Sequence, residues 1–243
     1  MFYYAHAFVA SKLYGSNSKW FLMGSILPDI AITKIIGWDN GLHGRGNSEK
    51  FRKFVEKASP SLVELCKGII THSILDDFTH KHYNGNVGYA YQNNKELSKI
   101  VAKYYELDSE VAEQIAHNYI ESAVDFLLLQ KYPKVEIKVK NVIKTVDINL
   151  IADLLGAYFV IDKTKFRISL LEYFKLMSKY DLKLLGDWVL FWEDLEFSLS
   201  LKKIDRSKKR ELLSLSINLV TDTYEDFINF SIRRGLKEIK SFE

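Results

Sequence analysis

Six histidines, His6, His43, His72, His80, His82 and His117, stand in the first 117 residues of the chain, and none follows. Imidazole nitrogens and carboxylate oxygens are the usual ligands of catalytic zinc. The densest stretch is Gly68-Ile-Ile-Thr-His72-Ser-Ile-Leu-Asp76-Asp77-Phe-Thr-His80-Lys-His82. On a helix, His72 and Asp76 lie one turn apart on one face and can grip one ion together. His80 continues that face; His82 joins it only if the helix ends or bends near Thr79. His117 and Glu121 repeat the four-residue spacing further on, with Asp125 one turn beyond. Two helices that each turn a His/carboxylate pair inward are a common way to build a multinuclear site in a helical bundle. Asp29 closes the apolar segment Gly24-Ser-Ile-Leu-Pro-Asp29, where a carboxylate can bridge metals or act as a base. His43 follows in a glycine-rich loop, and His6 is flanked by Ala5 and Ala7, which leave room for close packing. Asp77 and Asp125 read as groups that orient ligating histidines.

Each of these residues also has an ordinary structural reading. His6 can be a satisfied core histidine, His43 a polar loop residue, His72 with Asp76 an intrahelical pair, and Asp29 a helix cap after Pro28. Their conjunction in order along the chain, more than any one of them, points to metal chemistry.

The elements that must hold them read as helices. The 243 residues are 47% hydrophobic and 27% charged, with three prolines and twelve glycines, a composition that suits a compact helical protein with a sizeable core. Ser59 as N-cap with Pro60 at the first helical position opens a helix to about Tyr83, with Leu62, Leu65, Ile69 and Ile70 on its buried face. Ser109 caps a second helix to about Gln130. Gly37–Asn47 and Asn84–Asn94 read as loops. Val135, Ile137 and Val139 alternate with Lys and Glu, a strand period or an extended connection. From Ile148 onward three or four amphipathic helices are expected, the last from about Ser207 to Lys240. The expected architecture is all-α: a single helical domain of residues 1–243, with a metal-site half (1–130) and a scaffold or substrate-wall half (131–243).

Several classes are excluded or disfavoured. Cys66 is the single cysteine, so no internal disulfide and no Cys-based structural zinc site can form, and its apolar surroundings predict a buried thiol. A net charge of +3, from 34 basic and 31 acidic residues, does not identify a nucleic-acid binder. The basic cluster from Lys202 to Arg210 reads as a phosphate contact or as a solvated turn between helices. No window reaches ~18 uninterrupted apolar residues, so no transmembrane helix is expected. The start, MFYYAHAFVASKLYG, lacks the pattern of a secretory signal, which makes the cytoplasm the default compartment. Phe2, Tyr3 and Tyr4, and Trp188 with Trp192, are either an exposed aromatic surface for a partner or membrane, or core.

The order His6 … Leu-Pro-Asp29 … His43 … His72-x-x-x-Asp76-x5-His82 … His117-x-x-x-Glu121 resembles the zinc-dependent phospholipase C family and the related single-strand-specific zinc nucleases. The resemblance covers about residues 1–130. It implies an all-α bundle with the metal site between helices and two or three zinc ions. The implied activity is hydrolysis of a phosphodiester, in a phospholipid or another phosphoester, with membrane-surface contact and a nucleic-acid substrate by analogy alone. It implies that Asp29, His43, His72 and Asp76 hold one zinc, that Asp76 bridges to a second bound by His6, and that His82, or His80 in its place, holds a third with His117 and Glu121. Asp29 is the implied orienter or base for the attacking water. A weaker resemblance, through Ala-His6-Ala, Asp29, His72, Asp76 and His80, is to the acyl carrier protein phosphodiesterases, relatives of the HD hydrolases, which do not need His117 and Glu121. A non-enzymatic, metal-stabilised helical binding domain is the reading from a different class.

Overall fold

Aspartate caps and apolar residues three and four apart build the architecture. In the computed structural model, residues 3–15, 18–83, 85 and 87–240 are described; Phe2 lies outside them. Among the described residues there are thirteen α-helices and no strand. In chain order they are α1 (Tyr3–Tyr14), α2 (Lys19–Ile26), α3 (Arg45–Ala58), α4 (Val63–His80), α5 (Tyr89–Asn93), α6 (Lys95–Tyr105) and α7 (Ser109–Lys131). They continue as α8 (Lys134–Thr145), α9 (Ile148–Phe159), α10 (Lys163–Lys179), α11 (Leu185–Ser198), α12 (Arg206–Val220) and α13 (Tyr224–Ile239). Two 3-10 segments, Leu27–Thr33 and Pro60–Leu62, lead out of α2 and into α4. No described helix is long and apolar enough to cross a membrane.

The chain divides into two compact units: the first holds residues 1–5, 77–135 and 180–231, the second 6–76, 136–179 and 232–243. In the first unit α7 packs against α6 and α12. The Asp108 side chain accepts the Val111 N–H and starts α7. Ala112, Ala116, Tyr119, Ala123 and Val124 then recur at helical spacing on its buried side, the pattern that sinks one face of a helix into a core. Tyr119 stacks on Trp192 with ring centroids 3.6 Å apart, and its hydroxyl meets that of Tyr105 at 2.8 Å. Tyr105 donates to Glu196, which is ion-paired at 2.9 Å with Lys209, a lysine with no exposed surface.

In the second unit α2 crosses α4 at two glycines. A methyl group on Gly24 would stand 2.0 Å from the Leu65 carbonyl oxygen, and one on Gly68 would stand 2.1 Å from that of Phe21. Only hydrogen at both positions lets the two backbones meet. Pro28 lacks an N–H, so the chain leaves α2 as a 3-10 turn that buries Asp29. Helix α10 packs along α9 and against this 3-10 segment, where the Tyr173 hydroxyl donates to the Ile26 carbonyl at 2.6 Å.

Several expectations are corrected, and one open alternative is decided. Residues 134–145 are a helix: Val139, Val142 and Ile143 are buried while Ile137 is exposed, so the three-to-four spacing over twelve residues outweighs a five-residue alternation. The expected final helix is two, α12 and α13, separated at Thr221–Thr223, which makes five helices after residue 148. Ser59 makes no side-chain cap, and the helix begins through the 3-10 turn at Pro60; Asp108, not Ser109, caps α7. Tyr3, Tyr4, Trp188 and Trp192 are all buried, so they are core and form no docking surface. Cys66 is buried as expected, and burial pushes its thiol up to about 12.

Candidate metal centre

The middle of α4 faces inward in the second unit. There the His72 Nδ1–H donates to the Ser25 carbonyl at 2.9 Å, a bond made possible by the glycine crossing of α2 and α4. This fixes the ring and turns its Nε2 toward two carboxylates, Asp76 Oδ2 at 3.2 Å and Asp29 Oδ1 at 4.0 Å. His43 Nε2 stands 3.4 Å from Asp29 Oδ1 and 4.0 Å from Asp76 Oδ2. His6 Nε2 stands 3.3 Å from Asp76 Oδ1, and its ring lies flat on that of His72 with centroids 3.7 Å apart. Two groups that could hold a metal ion follow, His6/His72/Asp76 and Asp29/His43/His72, each offering ligand atoms within 4.8 Å of one another.

These side chains fit a cation better than they fit each other. Asp29 Oδ2, His72 Nε2 and His43 Nδ1 are buried without an aligned hydrogen bond, and a buried polar atom left so is costly unless something else satisfies it. The charges agree. Burial opposes ionisation of Asp76, but His72 and His6 outweigh it and hold the carboxyl well below the usual carboxylate range. Burial lowers His6 to about 4 with help from His72, so its imidazole is neutral at pH 7 and able to ligate. Burial also works against the charged form of His72, but Asp76 and Asp29 draw it up.

The first unit holds a third group. His80, the last residue of α4, places Nε2 2.9 Å from Glu121 Oε1 on α7, and its ring meets that of His117 edge-on at 5.2 Å. The candidate ligand atoms of His80, His117 and Glu121 likewise lie within 4.8 Å of one another. Burial raises the Glu121 carboxyl, but nearby positive charge and the His80 hydrogen bond prevail and hold it well below its usual value. His82 is exposed and outside this group. The reason is local: the N–H groups of Lys81 and His82 both bond to the Asp77 carbonyl and close the helix at His80. A methyl on Gly88 would stand 2.1 Å from the His80 carbonyl carbon, so that glycine admits the chain against the helix end.

Asp125 takes a different part from the one expected. Its two oxygens accept the Tyr4 and Ala5 N–H groups at 3.1 and 2.7 Å, capping the first turn of α1 and no ligating histidine. Burial pushes its carboxyl up to about 7 against those two donors. Half of the basic cluster is neutralised: Lys202 pairs with Glu106, Arg206 with Glu193 and Lys209 with Glu196.

Sequence reasoning missed Ser25, whose main-chain carbonyl carries no side-chain signal. It also missed Tyr91, whose hydroxyl donates to Gln114 at 3.0 Å and lies 3.5 Å from His117 Nδ1, and Trp38, whose ring stands 4.9 Å from that of His43. Gly24 and Gly68 were legible in principle, because a glycine inside a helical pattern usually has a packing reason.

Residues 3–166, more than half of the chain, match the family described as zinc dependent phospholipase C. The chain therefore belongs to that family. No curated protein and no solved structure matches it.

Proposed function

We propose that this member of the zinc-dependent phospholipase C family hydrolyses phosphodiesters with two or three bound zinc ions. The observation that carries the reading is the set of buried histidines and carboxylates whose ligand atoms converge without bonding fully to one another. His72 belongs to both combinations in the second unit, yet its Nδ1 is engaged by Ser25 and one lone pair at Nε2 serves one ion. In this reading His72, His43, Asp29 and Asp76 Oδ2 would hold one ion, and His6 with Asp76 Oδ1 would hold another. His80, His117 and Glu121 hold the third, with His80 in the place the family resemblance gave to His82. With three protein ligands, that group leaves a position for water or substrate.

Zinc in such sites lowers the pKa of bound water toward ~7 and neutralises phosphate oxygens. Asp29 is the proton acceptor in this reading: it is buried, and its Oδ2 has no hydrogen-bond donor of its own. Ser25 keeps His72 in the Nδ1–H tautomer, so the ring stays a ligand and does not serve as the base. The His80/His117/Glu121 group supports this reading over the acyl carrier protein phosphodiesterase one, which has no use for His117 and Glu121.

The test is zinc content by elemental analysis beside hydrolysis of bis(p-nitrophenyl) phosphate and of a short-chain phosphatidylcholine. The wild type is expected to carry two or three zinc ions and cleave at least one of the two substrates. His72→Ala and Asp76→Ala are expected to lose zinc and activity, and Asp29→Asn to lose about 10²-fold or more in kcat. Normal hydrolysis by both His72→Ala and Asp76→Ala would overturn the proposal.

A further inference from the structure

Helix α10 has two faces with different work. Phe166, Leu170, Tyr173, Phe174 and Met177 are buried, against α9 and the 3-10 segment that carries Asp29. The opposite face is solvent-exposed and not polar throughout. Ile168 and Leu171 are 52% and 48% exposed, and at i, i+3 they are neighbours on one side of the helix. Around them the exposed basic residues are Lys163, Lys165, Arg167, Lys175 and Lys179, against Asp162 and Glu172 in the same stretch. Lys163 is ion-paired with Asp153 of α9 at 3.1 Å. An exposed apolar pair set among lysines and arginine is the pattern of a helix that lies on an anionic lipid surface.

A second observation comes from the turn before α10. Val160 has φ 56 and is 90% exposed. A β-branched residue in the left-handed region is strained, and glycine or asparagine is the usual occupant of such a helix end. With 90% of its surface exposed, Val160 stands outside the core, so the fold carries strain to present an isopropyl group to solvent beside a basic, part-apolar helix.

We infer that the α9–α10 turn and the outer face of α10 form a docking surface for anionic phospholipid membranes, with Val160, Ile168 and Leu171 entering the interface and the basic residues engaging lipid phosphates. Charge selects this occupant: a neutral partner would gain nothing from the basic residues, and a second copy of the same face would set them against each other. The inner face of α10 bears on the Asp29 segment through Tyr173 and Ile26, so the docked helix is the one that supports the proposed proton acceptor.

The experiment is co-sedimentation of the zinc-loaded full chain with phosphatidylcholine vesicles, with and without about a third phosphatidylserine. Binding is expected to the mixed vesicles, at least ~10-fold weaker to phosphatidylcholine alone and weakened in about 0.5 M salt. Reversing Lys165, Arg167 and Lys175 to Glu should cost at least ~100-fold, each basic side chain near the surface being worth about fivefold. Ile168→Ser with Leu171→Ser should cost several-fold. Val160→Asn should bind more weakly while melting no lower than the wild type, a combination that a purely structural role for Val160 does not give. Equal binding to neutral vesicles, no binding, or self-association lost in Leu171→Ser would overturn the inference, the last by assigning the face to a second copy. Vesicle binding is read without turnover, so it stands or falls apart from the hydrolytic proposal. Hydrolysis of the soluble diester by the Ile168→Ser/Leu171→Ser protein is expected to stay within about twofold.

Discussion

Gly68→Ala tests the physical link between packing and metal binding. The added methyl would stand 2.1 Å from the Phe21 carbonyl oxygen and 2.7 Å from the Ser25 nitrogen. Both atoms are main chain, so no side chain can swing away, and α2 must move from α4 by about 1 Å to restore ordinary contact. The Ser25 carbonyl moves with it and the His72 hydrogen bond, 2.9 Å in the native protein, is broken. Overpacking costs about 1–3 kcal/mol and the buried hydrogen bond about 1 kcal/mol more. At about 2–4 °C per kcal/mol for a chain of this size, the melting temperature of chelator-treated protein should fall by ~4–16 °C. Freed from Ser25, His72 is no longer held in its ligating tautomer, and zinc affinity should fall ~10–100-fold. The assay pairs circular-dichroism melts of the zinc-free protein with zinc competition against a chromophoric chelator. Gly24→Ala, whose methyl would stand 2.0 Å from the Leu65 carbonyl oxygen, should behave alike. Gly46→Ala has nothing within 4 Å and should gain up to ~1 kcal/mol as an ordinary helix substitution. A Gly68→Ala protein that melts within ~2 °C of the wild type and binds zinc equally would refute the reasoning.

Three further outcomes follow from the geometry. His80→Ala should lose one zinc by elemental analysis and His82→Ala none, because only His80 reaches Glu121 and His117; the reverse would return the ligand to His82. Lys209→Ala should destabilise by about 3–5 kcal/mol in urea melts by leaving Glu196 buried without its partner, and Lys209→Met with Glu196→Leu should recover most of the loss. In zinc-free protein the raised His72 pKa stabilises the fold fully below 6.5 and is lost as pH rises through the shifted value; the depressed Asp76 pKa stabilises it above 3.8 and is lost as pH falls below that. Zinc requires His72 Nε2 without its proton, so zinc affinity should rise with pH from 6.5 upward, with proton release seen as a buffer-dependent heat in calorimetry. A pH-independent affinity there would contradict the assignment.

The helical class and most of the candidate ligand types were legible because both are local properties. Helical period shows in apolar spacing, and a His/carboxylate pair four residues apart shares a helix face wherever the helix goes. The failures were also local in origin. Val135, Ile137 and Val139 offered a short alternation that a longer helical period overrode, and Ser109 competed for a cap that its neighbour Asp108 supplies. Asp125 lay on the right face for a metal-site role, yet the position of the α1 N-terminus gave its oxygens two main-chain donors first.

Sequence alone determined that the histidines and carboxylates come in helix-spaced pairs, that no internal disulfide can form, and that the residue order of the family resemblance is present. Tertiary structure decided what spacing cannot express. The end of α4 at His80 put that residue, not His82, beside Glu121. The glycine crossing brought the Ser25 carbonyl to His72, and the 3-10 turn after Pro28 buried Asp29 beside His43. The physical reason is that a metal site needs ligand atoms to converge on a point. Convergence depends on how helices far apart in sequence approach each other, and at the α2–α4 crossing that approach is set by main-chain contact, which leaves its only mark on the sequence as two glycines.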